Sequence, residues 1–200
     1  MKQRKLRAAD MALIGMFAAL MAVGANLTSV APFLQVAGIP LSMQPFFCLL
    51  AALLLGSKRA AIAMIVYALV GLAGAPVFAQ FSAGFAPFAG KSGGFIISYI
   101  PAAFAAGWFL ERKIQPSKIR FLIASLIGTA IMYIIGTTYM YLALKLWIHT
   151  PVSYGTAWGF MTWFMVKDTA LAVILAFIAP GIYRSIHKAT GFNRNHISST

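Results

Sequence analysis

The hydrophobic positions of this chain fall in long unbroken runs separated by short polar or glycine-rich breaks, without the period-2 alternation of half-buried strands. A helical bilayer crossing takes about 20 apolar residues. On that length the pattern predicts six crossings, at 11–30, 42–55, 60–78, 93–110, 121–147 and 159–183. The second is short and is bounded by Pro40 and Gly56. Between the third and fourth, the segment from Gly74 to Gly94 carries five glycines among many apolar residues, which is too apolar for a water-exposed linker. Non-helical backbone near a membrane is tolerated where it lines a cavity or is buried in protein, so this segment is predicted to be a lid over a pocket.

Composition gives the same solvent. Of 200 residues 61% are hydrophobic and 10% charged, where a soluble domain is about a quarter charged. The acids are Asp10, Glu111 and Asp168 alone, and the formal net charge is +13. With the N-terminus inside, thirteen of the sixteen basic residues fall in cytoplasmic segments, leaving Lys91, Lys145 and Lys167. Removing one crossing would exchange the sides of all later loops and destroy that asymmetry, so the charges support six. The expected fold is therefore an all-α membrane protein, with six transmembrane helices in one bundle and both termini cytoplasmic. The apolar outer loop between helices 3 and 4 is its pocket lid. The chain reads as one integral membrane substrate-capture domain over 1–200, with a basic N-terminus at 1–10 and a basic cytoplasmic tail at 184–200. The start MKQRKLR leads into a retained first helix rather than a cleaved leader. Basic charge spent on topology is not a nucleic-acid footprint, which needs a basic soluble face with stacking aromatics.

Chemistry concentrates in few places. In WFMVKDTALAVILAF, Lys167 and Asp168 lie about eight residues into helix six, about 12 Å along its axis. Ionisable groups at that depth are functional candidates by default. Adjacent helical positions point about 100° apart, so the two are expected to flank one cavity from two sides. Alternatively, Lys167 reaches outward and Asp168 bonds to a neighbouring helix. Catalysis finds little support: no cluster of His, Cys, Asp or Glu suggests a metal site, no nucleophile has a visible base, and the single Cys48 excludes an internal disulfide. The stretch GFAPFAGKSGG ends like a phosphate loop. However, five residues rather than four separate Gly84 from Gly90, and the preceding residues do not read as a strand. Helix one carries small residues four apart, Ala8 and Ala12, Gly15 and Ala19, Ala18 and Ala22, a spacing that admits a close partner helix.

Four stretches, IPLSMQPFFCLLAALLLG, YALVGLAGAPVFAQF, GKSGGFIISYIPAAFAAGWFLE and the lysine and aspartate of helix six, resemble the BioY family. Those proteins are the biotin-binding substrate-specific (S) components of energy-coupling-factor (ECF) transporters. The resemblance implies a bacterial plasma-membrane protein that is not an enzyme and carries no cofactor, with biotin as the transported ligand. It implies docking, through the small-residue face of helix one at Gly15, Ala18, Ala19 and Ala22, on an EcfT-like transmembrane coupling subunit driven by two ATPase subunits. Where many members carry aspartate with lysine a few residues on, Lys167 here immediately precedes Asp168. Biotin has a ureido ring with two N–H donors and a carbonyl, apolar fused rings and a terminal carboxylate. On this reading Asp168 accepts ureido N–H bonds, and Lys167 or Lys91 meets the carboxylate. Tyr99 and Gln44 or Gln80 add hydrogen bonds, and Phe78 and Phe85 of the lid wrap the ring. The alternatives are capture of another vitamin by the same architecture and a small membrane enzyme acting on lipid. A third is a structural oligomer with Lys167 and Asp168 paired between subunits.

Overall fold

In a computed structural model of the chain, the described residues are 7–27, 35–36, 39–113 and 116–189. The end of the first expected crossing at Val30, the cations Lys2, Arg4, Lys5 and Arg194, and the tail from 190 onward lie outside them. Seven α-helices follow in chain order: α1 Ala8–Asn26, α2 Gln44–Leu55, α3 Ser57–Leu72, α4 Ala86–Ala89, α5 Gly93–Glu111, α6 Lys118–Leu146 and α7 Tyr154–Ala189. A two-residue antiparallel ribbon, β1 Gln35–Val36 with β2 Ile39–Pro40, lies between α1 and α2.

α1, α5, α6 and α7 are long and apolar enough to cross a membrane. α2 has 12 residues and α3 has 16, about 18 and 24 Å at 1.5 Å per residue, against a hydrocarbon layer of about 30 Å. The third expected crossing ends early, at Leu72 rather than 78, where Gly74 takes φ +104° and Pro76 follows. A left-handed glycine and a proline shortly after it are a common way to stop a helix. α7 instead runs past the expected boundaries at 159 and 183, carrying Pro180 inside it. Large side chains such as Trp163 and Phe177, 69% and 65% exposed, face outward from α7.

α5 is the central element, packing on α2, α3 and α6, while α7 lies against α6 and α2, and α1 against α2 and α3. Small residues allow this closeness. A Cβ on Gly107 would stand 2.5 Å from the Ser57 nitrogen, and one on Gly128 would stand 2.5 Å from Leu49. α2 turns into α3 on Gly56 alone, at φ +81°, with the Glu111 carboxylate filling the space a side chain would need. Glu111 accepts the Ser57 N–H at 3.0 Å and its hydroxyl at 2.7 Å, satisfying a helix start that has no cap of its own. Asp10 pairs with Arg59 at 3.2 Å and accepts the Arg7 N–H at 3.0 Å. Two of the three acids thus fasten helix ends at the pole richest in cations, and the third lies in the membrane-spanning region toward the other pole.

Candidate functional site

At the pole opposite Glu111, where α5 begins and α2 starts, the helices enclose a cavity of about 320 Å³. Its walls follow helical periodicity. α5 contributes Phe95, Ile96 and Tyr99, with Ser92 just ahead of it, and α7 contributes Met161, Phe164, Lys167 and Asp168, so each helix turns one face inward. α6 adds Met132 and Tyr133, and the lid between α3 and α5 supplies Phe78, Gln80 and Lys91 among others.

The polar end is built around Asp168, which is 3% exposed. Its Oδ2 accepts the Tyr133 hydroxyl at 2.6 Å, and its Oδ1 stands 2.8 Å from the Lys167 ammonium. That second contact is a close ion pair, and Oδ1 is buried beside the ammonium. Lys167 also donates to the backbone carbonyl of Ser42, just before α2. Both charges line the cavity, and the long lysine side chain folds back so that their tips also meet within one chain. Beside them Gln44 donates to the Tyr67 hydroxyl at 2.8 Å, which donates to the Val77 carbonyl at 3.2 Å.

The lid is compact and anchored. Phe78, 1% exposed, meets Tyr67 and Phe88 edge to face at 5.4 Å each and fills the space left by Gly71, where a Cβ would lie 2.0 Å from its ring. A 3-10 turn, Ala79–Phe81, places Gln80 and Phe81 at φ +59° and +54°, and the side chain of Asn26 on α1 accepts the Phe81 N–H at 2.7 Å. At its far end α4 is held by α6: the Tyr139 hydroxyl donates to the Phe88 carbonyl at 2.5 Å, and the Trp147 indole to that of Ala89 at 2.6 Å.

Of the residues singled out from sequence, Asp168, Lys167, Lys91, Tyr99, Gln44, Gln80 and Phe78 line one cavity. Phe85 does not. It is 73% exposed and stacks on the outside of Phe88, because the lid's inward positions are taken by Phe78 and by Ala86 and Pro87. Tyr133, Tyr67 and Ser42 were missed from sequence. A tyrosine in an apolar helix reads as ordinary core, and a backbone carbonyl leaves no trace in a residue pattern. On α1, Gly15 and Ala19 are exposed, and a Cβ on Gly15 would meet nothing within 4 Å, while Ala18 and Ala22 are partly buried against the core. The GKSGG stretch joins α4 to α5, with a short helix where a nucleotide loop needs a strand. Among the described residues no group of three or more His, Cys, Asp or Glu is placed to hold a metal ion.

Known proteins agree with this architecture. Residues 1–188 match the model of the BioY family. The chain is 96% identical over 200 residues, covering all of both chains, to the BioYB protein of Bacillus subtilis (strain 168). It is 32% identical over 176 residues to the protein named biotin transporter BioY of Rhodobacter capsulatus, covering 85% of this chain and 90% of that one. A crystal structure of the S-component for biotin from an ECF-type ABC transporter has the same fold, with a TM-score of 0.75 at 20% identity, covering 92% of this chain and 95% of the other. This chain is a membrane protein that belongs to the BioY family.

Proposed function

We propose that the protein captures biotin in this cavity, as the substrate-binding subunit of an ECF-type transporter. It is a transporter component and not an enzyme. The observation that carries the choice of ligand is the state of the Lys167–Asp168 pair. Asp168 Oδ1 meets the Lys167 ammonium, and Lys167, with three donors, contacts Asp168 and Ser42 among the described residues, so the carboxylate keeps lone pairs and the ammonium a donor beyond these contacts. An acceptor and a donor side by side match the adjacent N–H and C=O of a ureido ring, which donates to the carboxylate and meets the ammonium with its carbonyl. This orientation places the fused rings against Phe78, Phe95 and Phe164 and directs the valerate toward the lid. There the exposed Lys91, just ahead of the positive end of α5, meets the carboxylate. The cavity volume lies at the lower end of the range for small-molecule sites, as a compact vitamin requires.

The six helices other than α4 serve as six crossings, α2 and α3 being the short pair, with both termini cytoplasmic. The pole of Arg59, Glu111 and Arg112 then faces the cytoplasm and the cavity faces outward. The small-residue face of α1, Gly15 and Ala19 with Ala18 and Ala22 beside them, is where a coupling subunit driven by two ATPases packs.

The test is direct binding. Protein purified in detergent is expected to bind biotin saturably, and Asp168→Asn to weaken it by about ten- to a hundredfold, the cost of leaving buried polar groups mispaired. Absence of saturable binding by the unaltered protein defeats the proposal, and an unaffected Asp168→Asn defeats the assigned orientation.

A further inference from the structure

Tyr133 lines the same cavity, yet its hydroxyl is directed at Asp168 Oδ2, 2.6 Å away on another helix. The two oxygens of that carboxylate therefore meet different partners: Oδ2 the Tyr133 hydroxyl, and Oδ1 the Lys167 ammonium at 2.8 Å. A donor fixed on Oδ2 resists rotation of the carboxylate, because turning would break a short hydrogen bond to a charged group. Tyr133 is itself fixed, being 4% exposed, with its ring edge to face with Phe95 at 5.9 Å and 79°. Phe95 in turn occupies the space above Gly136, where a Cβ would come within 2.4 Å of its ring. An α5 aromatic seated on a glycine of α6 thus sets where the α6 tyrosine points, and the tyrosine sets how the α7 carboxylate is turned.

We infer that Tyr133 is a positioning residue for ligand recognition, holding the Asp168 carboxylate through Oδ2 in the one orientation that presents it, paired with Lys167, to an N–H donor of the ligand. The inference rests on the proposed biotin reading and adds to it the residue that keeps the polar end ready before ligand arrives. It assigns Tyr133 no contact with the ligand's carboxylate, so its effect is confined to the ureido end.

Binding of biotin and of biotin methyl ester, whose carboxylate is blocked, to the unaltered protein, Tyr133→Phe, Asp168→Asn and the double variant tests it. Phenylalanine keeps the ring and its packing, and the melting temperature of each variant in detergent checks the fold. Tyr133→Phe is expected to weaken biotin about tenfold, as for loss of a hydrogen bond to a charged group. It should weaken the methyl ester by the same factor and have no further effect on the Asp168→Asn background. A tenfold loss that persists undiminished on that background would mean that Tyr133 acts by shaping the cavity, and would overturn the inference. So would unchanged biotin binding by Tyr133→Phe beside saturable binding by the unaltered protein, with the biotin reading left standing. If the unaltered protein binds no biotin, the reading falls and takes the inference with it.

Discussion

Asp168, Lys167 and Tyr133 stand on two helices of 36 and 29 residues, whereas the lid across the cavity is a strap from Ala73 to Ser92 with only one four-residue helix and one 3-10 turn. At the polar end position is set by helix packing, and each polar atom answers to another buried group. In the lid it is set by a handful of point anchors: Phe78 in the space above Gly71, Phe81 on Asn26, and the α4 carbonyls on Tyr139 and Trp147. An element held by many apolar contacts opens only with the fold, but one held by few hydrogen bonds opens locally. On the proposed reading, the contrast gives recognition to the helices and entry and release to the strap.

The strongest challenge to that division is Lys167→Met. It leaves the Asp168 carboxylate buried without its counter-charge, and breaking a buried pair from one side costs about 3 kcal/mol or more. A marked fall in melting temperature in detergent, together with loss of biotin binding, is expected. An unchanged melting temperature would show that the polar end is not part of what holds the bundle together. A smaller effect is expected for the strap. Tyr139→Phe and Trp147→Phe each remove one hydrogen bond, about 1 kcal/mol or roughly a fivefold change. That change should appear in stopped-flow measurements as faster biotin release with little change in melting temperature. Equal release rates would mean that the α4 anchors do not govern opening. The smallest effect belongs to Lys91→Met. The exposed ammonium contributes on the order of 1 kcal/mol or less, so biotin should weaken by only a few fold and biotin methyl ester not at all. An equal loss for both ligands would move the carboxylate elsewhere.

Much of the helical layout could be read from hydropathy, because lipid forces each apolar run to satisfy its own backbone and so makes long runs helical whatever their neighbours. The six helices other than α4 overlap the six expected runs, and the lid lies where glycines interrupt an apolar stretch. The boundaries were less legible. α3 stops at Leu72 because a left-handed Gly74 and Pro76 follow, and α7 continues through the buried Pro180 although a proline removes a helical hydrogen bond and crowds the preceding turn. The site was legible where a charge stood out against apolar surroundings, as at Lys167, Asp168 and Lys91. It was not legible at Tyr133 or Ser42.

The sequence by itself therefore determined the solvent, the helices, the lid and the charges that lipid would not tolerate without a purpose, since each follows from the cost of transferring a local segment or one side chain into hydrocarbon. Only the tertiary structure decided how those charges are spent. Glu111 and Asp10 fasten helix ends, while Asp168 keeps one oxygen bonded to Tyr133 and the other paired with Lys167. It also turned Phe85 outward and Phe78 inward. Those outcomes depend on which atoms helices far apart in sequence bring within 3 Å of one another, and hydrogen-bond geometry at that range has no counterpart in a one-dimensional pattern of polar and apolar residues.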